Sequence, residues 1–201
     1  MGFAASTPAI RQTLTWDCSA ASLAWLLDAL GRPTSEQDAI GLLGGSINPA
    51  VGLTDASGAP LAGVLQSQGF SASNGGVGYD DVLGMASSGT PLAIGGIAFN
   101  HWTGVRGADG DDLLLANPAP GWMGVGDRMS RGQFAALGPF SAVWVSGMTA
   151  SDGGVAAPSP GVTASPSPGV TIPSLGGIIP WVQQNPLVAA GIAAAFILLT
   201  R

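Results

Sequence analysis

The chain holds a single cysteine, Cys18, and a single histidine, His101. Cys18 stands in "RQTLTWDCSAASLAWLL", residues 11–27, where a polar run gives way to an apolar run with helical character. Asp17 is available there as an N-cap, and the unpaired N–H groups and positive dipole end of a helix N-terminus favour an anion. The expectation is a thiol of lowered pKa, usable as a nucleophile. A free cysteine is also among the most buried side chains, so this helix alone is more often the signature of a small hydrophobe.

The partners of Cys18 decide between these readings. His101 opens "HWTGVRG", the turn sequence "GADGDD" follows at 107–112, and "LLLANP" returns from it. A hairpin folded about Asp109 pairs positions whose numbers sum to 218, which sets His101 against Asn117, Thr103 against Leu115 and Val105 against Leu113. An imidazole N–H bonded to the Asn117 side-chain oxygen fixes the ring and leaves the other nitrogen for a thiol, the base-and-orienter logic of nucleophilic catalysis. A one-residue slip would put the pair on opposite faces. Gln12, six residues before Cys18, can add a side-chain N–H to the Cys18 backbone N–H to bind a developing oxyanion. Trp16 and Trp102 flank these positions as candidate substrate-binding walls, with Trp122 beside them, although core packing is the common role of tryptophan.

In the order Gln12, Cys18, His101 with Trp102, and Asn117 with Pro118, the chain resembles a papain-like cysteine peptidase. Within that superfamily it is most similar to the bacterial and phage domains like double-glycine leader peptidases, over roughly residues 8 to 147. The likeness includes "GTPLAIGG" before the histidine strand and "SRGQFAALGPFSAVWV" at the end. It implies Cys18 as nucleophile, His101 as general base and acid, Asn117 as orienter and Gln12 as oxyanion donor. Two positions depart from the leader-peptidase branch: Asn117 stands where Asp is usual, and Ser19 follows the cysteine where Gly is frequent. The implied activity is thiol hydrolysis of a peptide or protein through an acyl-enzyme, which water or an amine then resolves.

The elements that must position these residues are legible in outline. Helices are expected over Cys18–Leu30, ended by Gly31 and Pro33, over Ser35–Leu43 with Ser35 capping, over Pro60–Gln68 and over Asp80–Ala86. Strands follow at "PLAIGGIAF", "HWTGVRG", "DLLLANP" and "FSAVWVSG", with one short helix at "SRGQFAAL". Helices first and an antiparallel sheet afterwards predict an α+β domain.

Composition sets the remaining bounds. Twelve acidic residues face six arginines with no lysine, for a net charge of −6. Nucleic-acid binding draws its affinity from clustered positive charge, so nucleic acid is not an expected partner. One cysteine allows no internal disulfide, and without a His/Cys cluster neither zinc nor another cofactor is expected. The acidic turns at Asp80, Asp81, Asp109, Asp111 and Asp112 read as solvated loops.

The peptidase-like domain is assigned to residues 1–148 and a Pro/Gly/Ser linker, carrying the near-repeat "PSPGVTASPSPGVTIPS", to 149–177. An apolar tail occupies 178–201. Its uncharged run Leu187–Thr200 has 14 residues, roughly 21 Å as a helix against a hydrocarbon core of about 30 Å. Adding Ile178–Val182, with Trp181 at the interface, lengthens it. The N-terminus "MGFAASTPAIRQ" has neither a basic start nor a long apolar run, and predicts no secretory signal. The expectation is membrane association through the tail, with a virion assembly or the cytoplasm as the other settings. A reading of a different class makes the chain a structural or adaptor protein of a virion or envelope, using a papain-like domain as a binding module.

Overall fold

The computed structural model describes residues 6–96 and 98–147. These fall in the first of the two units into which the chain divides, Met1–Pro158 and Ser159–Arg201. The linker at 149–177 and the apolar tail at 178–201 lie outside the described residues. Among the described residues, no helix is long and apolar enough to cross a membrane.

Helix α1 (Cys18–Ala29) is followed by α2 (Glu36–Leu43), a short hairpin of β1 (Ile47–Asn48) and β2 (Gly52–Leu53), and α3 (Ala59–Ser67). Then come β3 (Ala72–Val77), α4 (Tyr79–Ser87), β4 (Leu92–Gly96), β5 (His101–Asp109) and β6 (Asp112–Ala116). The described region closes with β7 (Arg128–Met129), α5 (Arg131–Leu137) and β8 (Phe140–Val145). The expected helices form within a residue or so of their bounds, and the architecture is α+β.

The local chemistry accounts for the boundaries. Gly31, at φ 77°, stops α1. Ser35 accepts from the Asp38 N–H to start α2. Ser130 and Gln133 form a reciprocal capping box on α5. Asp17, expected as the N-cap of α1, occupies that position but makes no side-chain cap bond. Its carboxylate accepts from the Leu14 N–H at 3.0 Å instead, because a buried carboxylate takes the nearest donor available to it.

Six strands make one sheet in the order β3-β8-β4-β5-β6-β7, with every paired neighbour antiparallel. One face carries Ala93, Trp102, Ala116, Val143 and Val145 against α1, α2 and α3. The other carries Leu92, Ile94, Val105, Leu113, Leu115 and Ala142 against residues of α4 and α5. Alternation of side chains along each strand separates the two cores. Strand β3, "ASNGGV", was not expected, since two glycines and an asparagine leave it no apolar period; it forms at the sheet edge through backbone pairing with β8.

Helix α1 is buried almost all round, packing on both β5 and α2. Its fit to the sheet depends on Gly104. A Cβ there would lie 2.2 Å from Cε3 of Trp25, so only hydrogen allows the indole to sit on β5.

The register of the site hairpin differs from expectation. Gly104 faces Ala116 and Val105 faces Leu115, so opposed positions sum to 220, not 218. A bulge between Val105 and Gly107 shifts the remainder by one, and the two-residue turn is Gly110–Asp111, between Asp109 and Asp112. A bulge adds one unpaired residue that a sum rule cannot anticipate. The shift near the site is by two, however, which preserves the face of every side chain. His101 and Asn117 are therefore diagonal neighbours on one face, not direct partners.

Candidate active site

Three of the residues singled out for chemistry lie at the end of an element, and Gln12 and Trp16 lie on the loop before α1. Cys18 is the first residue of α1, His101 the first of β5, and Asn117 follows the last residue of β6. The turn into β5 runs through Asn100, whose φ of 46° is a left-handed conformation that asparagine adopts more readily than most residues. Its N–H bonds to Gly96 O at 2.7 Å, delivering His101 to the strand start.

His101 Nε2 lies 2.9 Å from Asn117 Oδ1, and both side chains are buried. Asn117 Nδ2 donates to Val125 O at 3.1 Å and Gly126 O at 3.0 Å, while Oδ1 also accepts from the Ala119 N–H at 3.0 Å. With both amide hydrogens used elsewhere, the group facing His101 is an acceptor, so Nε2 carries the proton and Nδ1 keeps a lone pair. Phe99 meets the imidazole edge-on at 5.2 Å, and Trp122 stacks on it at 5.8 Å with its Nε1 bonded to Phe99 O. Burial pushes the imidazole pKa below its ordinary value, partly countered by the Asn117 hydrogen bond. The ring is thus held neutral and oriented.

Cys18 is half-buried and unpaired. Burial raises its pKa and the negative charge of Asp17 adds to the effect, against main-chain groups of Trp102 and Ser19 that favour the thiolate. The expected lowering is therefore overturned: desolvation of the thiolate outweighs the helix end. Gln12 sits on the same cleft, with Nε2 donating to Leu14 O at 2.7 Å. One of its two amide hydrogens is thereby committed and one is left. The loop carrying Gln12 is strapped to the loop after β6: Gln12 N–H bonds to Pro118 O at 3.2 Å, and Arg11 Nη1 to Asn117 O at 2.6 Å.

One cleft brings together Gln12, Trp16, Cys18, His101, Trp102 and Trp122, with Pro49 to Leu53 on its rim. Among the described residues, none that carries a formal charge lines it. Trp102 is only 5% exposed, and a Cβ on Gly95 would fall 2.3 Å from its ring, so much of its area is core packing. Trp16 is half-buried, and Trp122 presents 38% of its surface. The apolar rim at Val51 and Leu53 escaped the sequence reading, because a two-residue strand has no period to detect. The main-chain groups that hold Asn117 were equally hidden, being the carbonyls of Val125 and Gly126 and the Ala119 N–H. Of the acidic turns, Asp80 pairs with Arg131, and Asp109 and Asp112 with Arg128, all at the surface.

Neither a protein-family model nor a curated protein matches this chain. Solved structures do. A double glycine motif protease from an AMS/PCAT transporter, solved with its leader peptide, is 20% identical with a TM-score of 0.54, covering 70% of this chain and 92% of that one. The peptidase domain of Streptococcus ComA, a bifunctional ABC transporter of a quorum-sensing pathway, is 20% identical at TM-score 0.53, covering 69% and 98%. A C39-like peptidase from Bacillus anthracis is 17% identical at TM-score 0.51, covering 70% and 95%. The described domain thus has the papain-like α+β fold of double-glycine peptidase domains.

Proposed function

We propose that the chain is a cysteine peptidase that cleaves peptide bonds by forming an acyl-enzyme at Cys18. The observation that carries this reading is the His101 Nε2 to Asn117 Oδ1 hydrogen bond of 2.9 Å, at the cleft that also holds Cys18 and Gln12. With Nε2 committed to Asn117, Nδ1 is the nitrogen free to take the thiol proton. Thiol and imidazole are both pushed toward their neutral forms, so His101 acts as general base during attack rather than through a preformed ion pair. Sulfur attacks the carbonyl carbon, and the oxyanion is met by the Cys18 N–H and the remaining Gln12 amide hydrogen. His101 then gives its proton to the leaving amine, and water resolves the thioester. Transfer to an amine in that last step would make the same site a transpeptidase.

An uncharged cleft walled by indoles suits a neutral, small-residue segment, and one similar structure is a double glycine motif protease. The chain itself carries "SLGGII" at 174–179, where linker meets tail. A fluorogenic peptide of residues 171–182 is therefore the substrate of choice. Wild-type protein should cut it and Cys18→Ala should not; full turnover by Cys18→Ala would end the enzyme reading.

The tail at 178–201 is proposed as a tether to a membrane or assembly. Fractionation of full-length protein beside a form ending at Gly177 tests this: unchanged location and partners would remove the tether, and would return weight to neither the membrane nor the virion setting.

A further inference from the structure

The loop between Gln12 and Cys18 hangs on two carboxyl groups. Thr13 donates through its N–H to Glu36 Oε1 at 2.9 Å and through Oγ1 to Glu36 Oε2 at 2.7 Å. The Leu14 N–H donates to Asp17 Oδ2 at 3.0 Å, and Thr13 Oγ1 lies 3.5 Å from that oxygen. Asp17 is fully buried, Glu36 9% exposed, and Asp17 Oδ1 has no donor among the described residues. Two buried carboxylates facing each other cannot both stay charged cheaply, and one shared proton both removes a charge and gives the orphan oxygen a partner.

We propose that Asp17 holds a proton and donates it in a hydrogen bond to Glu36, and that this pair positions the Gln12 loop beside Cys18, holding it while Asp17 is protonated and releasing it when Asp17 is charged. The proposal rests on the peptidase reading only for its consequence on turnover. Burial, then hydrogen bonding to Glu36, then repulsion by Glu36 raise the Asp17 pKa to about 6, against main-chain donors that lower it. The groups acting on Asp17 thus come from α2 in Glu36 and from its own segment; among the described residues, no cation belongs to the groups that shift it. Cys18, next in sequence, feels the Asp17 charge in return. The far end of the loop is fixed independently, by Arg11 and Gln12 on residues 117 and 118. Asp17 and Glu36 are positioning residues; neither lines the cleft.

Amide hydrogen exchange of Thr13 and Leu14 in the full chain, corrected for intrinsic pH dependence, reads the latch without any turnover. Protection at both amides should fall at least tenfold as pH rises from 5 to 7.5. Asp17→Asn, whose amide can donate to Glu36 at every pH, should keep protection constant across that range. Unchanged protection in the wild type, or an equal fall in Asp17→Asn, overturns the proposal. With the 171–182 peptide, the ratio of rates at pH 7.5 and pH 5 should be at least threefold higher in Asp17→Asn than in wild type. That gain should vanish in a Gln12→Ala background; its persistence there overturns the route through Gln12. If exchange behaves as stated but no peptide is cut, the pair stands and the peptidase reading fails.

Discussion

The two sides of the cleft are built on opposite terms. On the sheet side, every polar atom of Asn117 has a partner: Oδ1 is shared by His101 and Ala119, and Nδ2 by the carbonyls of Val125 and Gly126. On the helix side, Gln12 Oε1, Asp17 Oδ1, Ser19 Oγ and Ser22 Oγ are buried without hydrogen-bond partners among the described residues, and two carboxyls face one another. Around Asn117 the hydrogen bonding is complete, and it holds the proposed base. The helix side carries the proposed nucleophile and the loop proposed above to depend on a proton at Asp17. A buried network is stiff only when complete, so the orienter should tolerate pH and the nucleophile loop should not.

The largest expected effect breaks the sheet side at its centre. His101→Ala should lower kcat/KM on the 171–182 peptide by roughly 10³-fold, within the range of a general base, while far-UV circular dichroism shows the fold retained. Asn117→Ala should cost about 10²-fold in the same assay. It should also destabilise the domain by on the order of 3 kcal/mol in a urea titration, because it strands buried groups at positions 101 and 125 and half-buried ones at 119 and 126. An Asn117→Ala protein of unaltered stability would mean that the network is not what holds this side together.

The joint between the sides is the next target. Gly104→Ala places a methyl on Trp25, which is fully buried and has nowhere to go. A loss of about 1–3 kcal/mol is expected from overpacking, with reduced turnover although no titrating group has changed.

The smallest effect lies in the pH dependence of stability. Asp17 has a raised pKa, so its contribution is full below 3.8 and is lost as pH rises through about 6. His101 has a lowered pKa, so its contribution is present above 6.5 and is lost as pH falls. Where their windows overlap below pH 6, the two arms oppose each other. Asp17→Asn should unmask the acid-side fall, and His101→Gln the fall on raising pH; denaturant midpoints across that range measure both. Identical curves for the two variants would show that the two sides do not titrate against each other.

Sequence sufficed for the helices, whose caps and stop signals are local, as at Ser35, Gly31 and Ser130. It sufficed for the His101–Asn117 pairing only by parity: the assumed register was wrong by two positions, and an even error keeps the face. The bulge at Arg106 has no local signature. The thiol was misjudged because helix position is visible in sequence whereas desolvation is a property of the finished core. Glu36, eighteen residues beyond Cys18 and on the next helix, could not be linked to Asp17 before the packing of α1 on α2 was known.

The central claim is that Cys18 attacks with His101 as its base. Intact mass after incubation with a Leu-Gly-Gly chloromethyl ketone tests it most directly. A single adduct on Cys18 of the wild type is expected, with none on Cys18→Ala and labelling at least tenfold slower in His101→Ala. Equal labelling of wild type and His101→Ala, or no adduct on a wild-type thiol that remains titratable, would contradict it.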